Sequence, residues 1–259
     1  MTLGCWFSLR SKPAAKLGVG CKKMTELSII VIAAWAAGLA AAVGGIVAWH
    51  GAGLDAGNKS EIAHGVIAFG GGILVAAVVF ALLPRGMAVL SPLSLGGAFC
   101  AGGLLFCVLD AYMSRRGGIK AQFMAMLMDF LPEALALGAM FGHDRQLGML
   151  LAAFIGAQNL PEGFNAFRET VAAGVKRRYA LLGLLAASLL GPIAACTGYF
   201  FFQDQAELTA GIMAFASGGI IYLIFQDIAP QAKLRRHWAP ALGAVLGFAI
   251  GMIGKQLIG

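Results

Sequence analysis

An all-α protein that crosses a membrane many times is what this sequence predicts, and three observations carry the prediction. Apolar residues make up 59% of the 259, only 12% are Asp, Glu, Lys or Arg, and the mean hydropathy is +0.83. A soluble domain carries about 25% charged residues, so half of the usual solvating surface is missing. The apolar residues fall into eight stretches, each close to the roughly 20 residues that span a ~30 Å hydrocarbon core. The stretches are long and continuous, whereas a membrane barrel shows short segments of alternating hydrophobicity.

Taken in order, spans are expected near 27–49, 63–84, 92–111, 121–142, 147–167, 179–201, 208–228 and 239–257. The first leads directly from Met24-Thr25-Glu26, and the second opens at His64 beside Glu61 and closes at Pro84. The third starts at Pro92 and reaches Asp110 near its end. The fourth and fifth are joined by His143-Asp144-Arg145-Gln146, a turn short enough to force an antiparallel hairpin. The sixth follows the basic run Lys176-Arg177-Arg178, and the seventh ends around Asp227 and Pro230. The eighth carries Gly243, Gly247 and Gly251, a small-residue face that lets helices approach closely. Spans two and seven share a pattern, Gly71-Gly72-Ile73 running to Pro84 and Gly218-Gly219-Ile220 running to Pro230, as an inverted repeat would.

Basic residues orient the chain. Connections after the odd-numbered spans hold Lys59, then Arg115, Arg116 and Lys120, then Arg168 and Lys176 to Arg178, then Lys233, Arg235 and Arg236. The other side, apart from the N-terminal segment, holds Arg85, Arg145 and Lys255. Lys and Arg concentrate in cytoplasmic loops, so both termini are expected on the non-cytoplasmic side, in a cell (inner) membrane. Residues 1–23 run against this with Arg10, Lys12, Lys16, Lys22 and Lys23, and they lack a signal peptide's apolar core. They are read as a disordered or non-native extension, with 24–259 forming the membrane domain.

The +7 charge does not indicate nucleic-acid binding, since the basic residues form no stripe beside stacking aromatics. Cys100, Cys107 and Cys196 lie in apolar runs without a CxxC or His-spaced cluster, so they read as small buried apolar residues. No Ser/His/Asp set, Walker loop or HExxH is present, and an enzyme is not expected.

Ionisable groups inside a span are costly and mark function. Span four reads Asp129-Phe130-Leu131-Pro132-Glu133, and span five reads Gln158-Asn159-Leu160-Pro161-Glu162-Gly163. Each places a polar side chain and a Glu four residues apart on one helical face, with Pro just before the Glu. Each Pro frees a carbonyl one turn earlier, near Met128 and Ala157, so the pair offers an oxygen-rich pocket suited to a cation. Counted from the turn, the four side chains lie roughly 16–26 Å deep at about 1.5 Å per residue, where they can converge. Asp110, Asp227 with Gln226, and His64 are further candidates for an ion path; His50, His143 and His237 are most simply solvated.

These residues resemble the ZIP (Zrt- and Irt-like) family of divalent-metal transporters, whose fourth and fifth helices carry His-Asn-x-Pro-Glu-Gly-type motifs. The seventh-span run Ala216-Ser217-Gly218-Gly219, ending at Asp227 and Pro230, extends the likeness. The resemblance implies eight transmembrane helices in a 3+2+3 bundle and a metal site of Asp129, Glu133, Gln158 and Glu162. Asn159 would join a second, adjacent metal. The sequence departs from the family with Asp129 in place of His, Phe130 in place of a polar residue and Ala134 in place of Gly. Span six offers no carboxylate, and a short Ser114–Lys120 segment replaces a long His-rich loop.

The expected function is transport of divalent metal, Zn²⁺ foremost with Fe²⁺, Mn²⁺ or Cd²⁺ as alternatives, toward the cytoplasm. The competing readings are a metal-sensing membrane protein that binds without transport and a proton or small-cation channel. Expected partners are the metal, the lipid bilayer and a second copy in a homodimer; no resident cofactor is expected.

Overall fold

The structure, a computed structural model, describes residues 12–50, 56–116, 121–233 and 238–258. The first eleven residues of the expected extension lie outside the described residues, as do Lys120, Arg235 and Arg236. The described elements are helical: α1 (Lys12–His50), α2 (Ala56–Ala77), α3 (Leu83–Val89), α4 (Pro92–Arg116), α5 (Ala121–Phe141) and α6 (Arg145–Ala172), then α7 (Arg177–Ser188), α8 (Leu190–Phe201), α9 (Ala206–Leu223), α10 (Ala229–Ala232) and α11 (Ala239–Ile258). No strand occurs among the described residues. Among the described residues six stretches are long and apolar enough to cross a membrane: Met24–His50, Ile62–Val89, Pro92–Tyr112, Arg177–Phe201, Ala206–Ala232 and Pro240–Leu257. This is a multi-pass membrane protein. The two helices of the expected site, α5 and α6, are not among the six; Gln158, Asn159 and Glu162 lower the hydropathy of α6 at its centre.

Local chemistry sets several boundaries. Ser91 caps α4, its Oγ accepting from Ser94 N at 3.2 Å with Pro92 at the first helical position. Asp144 caps α6 by accepting from Leu147 N at 2.9 Å, while His143 N and Asp144 N both return to Met140 O. That turn makes α5 and α6 an antiparallel hairpin. At its far end α6 stops at Gly174, φ +96°, where Gly174 N bonds Val171 O and Val175 N bonds Thr170 O. Gly is suited to this left-handed position because it carries no Cβ.

Spans two and seven share more than a sequence pattern. Each is interrupted by a π turn, Val78–Leu82 between α2 and α3 and Ile224–Ile228 between α9 and α10. Leu83 N bonds Val78 O and Ala229 N bonds Ile224 O, one residue further than in an α-helix. Pro84 and Pro230 follow; lacking an N–H, they cannot satisfy the carbonyl four residues earlier, and the wider turn accommodates that loss.

Lipid offers no hydrophobic drive between helices, so close packing must hold them together. Four pairs meet backbone to backbone at glycines: α1 with α6 through Gly44 and Gly163, α2 with α11 through Gly72 and Gly247, α4 with α9 through Gly102 and Gly218, and α5 with α8 through Gly138 and Gly198. A Cβ at Gly163 would land on the Ala41 backbone, which is why α1 can run directly along α6. Gly243 and Gly251 also face α2, against Gly65 and Ala76.

The expectation of buried cysteines is corrected. Cys100 and Cys107 are exposed on α4, and Cys196 is half-buried. An apolar run signals burial only where the alternative is water. Here α4 turns Leu93, Leu104 and Val108 outward as well, as a helix surface suited to lipid does.

Candidate metal centre

The hairpin places Asp129 and Glu133 of α5 opposite Gln158, Asn159 and Glu162 of α6. Asp129 is 3% exposed, and Glu133 and Gln158 are fully buried at 0%. Gln158 joins the two helices. Its Nε2 donates to Asp129 Oδ2 at 3.5 Å and, more closely, to Glu133 Oε2. The carboxyls of Asp129 and Glu162 lie within hydrogen-bonding reach of each other. The charges acting on these three acids come from one another, and no basic group is among them.

Each of the five residues leaves one buried oxygen without a hydrogen-bond partner: Asp129 Oδ1, Glu133 Oε1, Gln158 Oε1, Asn159 Oδ1 and Glu162 Oε2. A buried polar atom left unsatisfied costs about 1–3 kcal/mol, so one such place is uncommon and five together call for an occupant. Oxygen donors of this kind suit a divalent cation. Yet no three His, Cys, Asp or Glu side chains among the described residues stand close enough to hold a metal as they are. Glu133 is turned to Gln158, whereas Asp129 and Glu162 face each other.

Two clefts reach the site. A cleft of ≈ 40 Å³ is lined by Asp129, Glu162 and Asp227 among Leu74, Met126 and Leu223. A second, of ≈ 30 Å³, continues along Glu162, Asn165, Asp227 and Gln231. In the other direction, toward the 142–146 turn, the hairpin is filled by buried Leu137, Met140, Phe141, Leu150, Leu151 and Phe154.

The remaining expected residues fall in different places. Asp227 sits in the second π turn and lines both clefts. Asp110 accepts from Tyr222 Oη at 3.0 Å, and neither it nor the half-buried His64 lines either cleft. Asn159 donates through Nδ2 to Ala37 O of α1 at 2.9 Å, so its amide ties helices together. The Phe130 ring, 3% exposed, fits between Gly38 of α1 and Gly191 of α8, where it packs as a wedge.

Sequence reasoning missed the mouth of the cleft. Asn165 Nδ2 donates to Glu169 Oε1 at 3.1 Å and to Gln231 Oε1 at 2.8 Å, bridging α6 and α10. The signal was present: Gln158, Glu162, Asn165 and Glu169 continue one face at helical spacing.

Two curated zinc transporters are similar to this chain. Zinc transporter GufA of Myxococcus xanthus is 28% identical over 138 residues, 52% of this chain and 54% of that protein. Zinc transporter ZIPB of Bordetella bronchiseptica is 25% identical over 138 residues, 52% of this chain and 45% of that protein. These relatives bear out the ZIP resemblance. In each case the match spans about half the length of the curated relative. No family model matches the chain.

Proposed function

We propose that this chain transports divalent metal ions across a membrane toward the cytoplasm, through a site of Asp129, Glu133, Gln158 and Glu162. The observation that carries the reading is that Asp129, Glu133, Gln158 and Glu162, neighbours across the α5–α6 hairpin, each keep one buried oxygen without a hydrogen-bond partner. The two zinc-transporter relatives support metal as the cargo, with Zn²⁺ first and Fe²⁺, Mn²⁺ or Cd²⁺ as alternatives. On this reading the cleft past Asp227 is the cytoplasmic exit. Its lining runs from Pro161 to Asn165 on α6 and on to Gln231 on α10, and the basic residues Arg168, Lys176 and Lys233 follow those segments in sequence.

The same reading takes α5 and α6 as two further spans, giving eight in a 3+2+3 bundle with both termini on the non-cytoplasmic side. The glycine-mediated pairs support it. Exchanging spans one, two, three and four with six, seven, eight and five turns the pair α1–α6 into α8–α5 and α2–α11 into α9–α4, as an inverted repeat requires. Transport then proceeds by alternating access, with the hairpin and its close neighbours α1 and α8 shifting against the α2–α11 and α4–α9 pairs. The packed apolar end of the hairpin, with buried Leu137, Met140, Leu150 and Leu151, favours a carrier over an open channel. Saturable uptake of ⁶⁵Zn²⁺ into proteoliposomes tests the proposal; linear, unsaturated flux would favour the channel.

A further inference from the structure

We propose that Gln158 is a latch between the two halves of the site, and that its side-chain amide must rotate before a cation can reach Glu133. The inference rests on the transport reading above. Its observations are geometric. The cleft that leads in past Asp227 is lined by Asp129 and Glu162, and Glu133 and Gln158 lie behind them. An ion in that cleft therefore touches the Asp129 and Glu162 carboxyls. The third is held by the Gln158 amide, whose Nε2 donates to Glu133 Oε2 and to Asp129 Oδ2. An NH₂ group between two acidic side chains stands where a cation would bridge them, and its partial positive charge serves the same purpose. The amide oxygen, the only atom of the group able to ligate a metal, is buried without a partner. Rotation about the last side-chain bond exchanges the two atoms. It withdraws the donor, presents Oε1 and releases Glu133 in one movement.

A latch of this kind acts mainly on the empty carrier. With no metal present, the donated N–H bonds hold Asp129 and Glu133 together, so the hairpin can return across the membrane as a closed unit. With metal bound, the ion makes those bridges and the donor is not needed. A residue that served only as a ligand would affect both limbs of the cycle through metal affinity.

Gln158→Met keeps an unbranched side chain of similar length and removes the donor and the ligating oxygen together, so the comparison of two fluxes, not affinity, separates the two roles. Purified full-length protein is reconstituted in proteoliposomes, and two fluxes are compared at saturating Zn²⁺. Net uptake into metal-free vesicles requires the empty carrier to return, whereas exchange of ⁶⁵Zn²⁺ for Zn²⁺ across loaded vesicles does not. The ratio of net uptake to exchange is expected to fall about ten-fold or more, the effect of a lost charge-assisted donor on one step. A ratio equal to that of the unsubstituted protein would overturn the latch. If Gln158→Met does not reach the membrane folded, the unsubstituted protein labelled with ¹⁵N-glutamine replaces it. One solvent-protected side-chain amide is expected to shift on Zn²⁺ titration, and a spectrum without such a shift would overturn the proposal. Absence of both net uptake and exchange in the unsubstituted protein is a different result, and it would count against transport itself.

Discussion

Asn159 donates to the Ala37 carbonyl at 2.9 Å and is 2% exposed, so Asn159→Ala removes an interhelical tie between α1 and α6. Hydrogen bonds between membrane helices contribute about 0.6 kcal/mol on average and up to about 1.7. Truncating the buried side chain adds the lost packing of a few heavy atoms, bringing the expected cost to about 1–2 kcal/mol. For a chain of this size each kcal/mol lowers Tm by about 2–4 °C, so a drop of about 2–8 °C is expected. Thermal unfolding of the detergent-solubilised protein, followed by size-exclusion chromatography, measures it. Zn²⁺ affinity, from calorimetry on the same preparation, is expected to stay within about three-fold, because the donor faces α1 and each ten-fold change in affinity needs 1.4 kcal/mol. A loss of affinity of more than ten-fold with Tm unchanged would refute the reasoning and make Asn159 a ligand.

Three other expectations follow from the site. One metal ion should bind tightly per chain, because the wedged Phe130 ring cannot coordinate a cation; anomalous diffraction or titration checks this, and two adjacent ions at high occupancy would contradict it. Fe²⁺ and Mn²⁺ should compete with Zn²⁺ more effectively than at histidine-bearing sites, since Asp129, Glu133, Gln158 and Glu162 offer only oxygen. Asp129→His should then shift competition toward Zn²⁺, and an unchanged ratio would remove Asp129 from the ligand set. Asp227→Asn should lower maximal uptake several-fold with little change in the metal concentration for half-saturation, because Asp227 lines the exit cleft and not the buried end of the site; initial-rate uptake measures both.

What the sequence made legible was whatever bilayer physics penalises. Asp129, Glu133, Gln158 and Glu162 stood out because polar groups in apolar runs are expensive, and the short 143–146 turn implied the antiparallel hairpin that brings them together. The direction in which Asn159 and Phe130 point was not legible. Each is about 100° around its helix from a site residue, and only the positions of α1 and α8 decide what it meets. The tie from Tyr222 to Asp110 joins helices far apart in the chain, so no spacing could reveal it. The π turns left only their prolines as a trace. Cysteine burial was misread because hydropathy does not distinguish a protein interior from lipid. The Asn165–Glu169–Gln231 mouth was readable in part, as a continuation of the Gln158–Glu162 face, although its partner on α10 was not.

Uptake of ⁶⁵Zn²⁺ into proteoliposomes, with unsubstituted protein beside Glu133→Ala and Glu162→Ala, tests the central claim most directly. The unsubstituted protein should show saturable uptake, and each substitution should abolish it while leaving the protein folded in the membrane. Saturable uptake that persists in both variants would contradict the claim that this hairpin carries the metal.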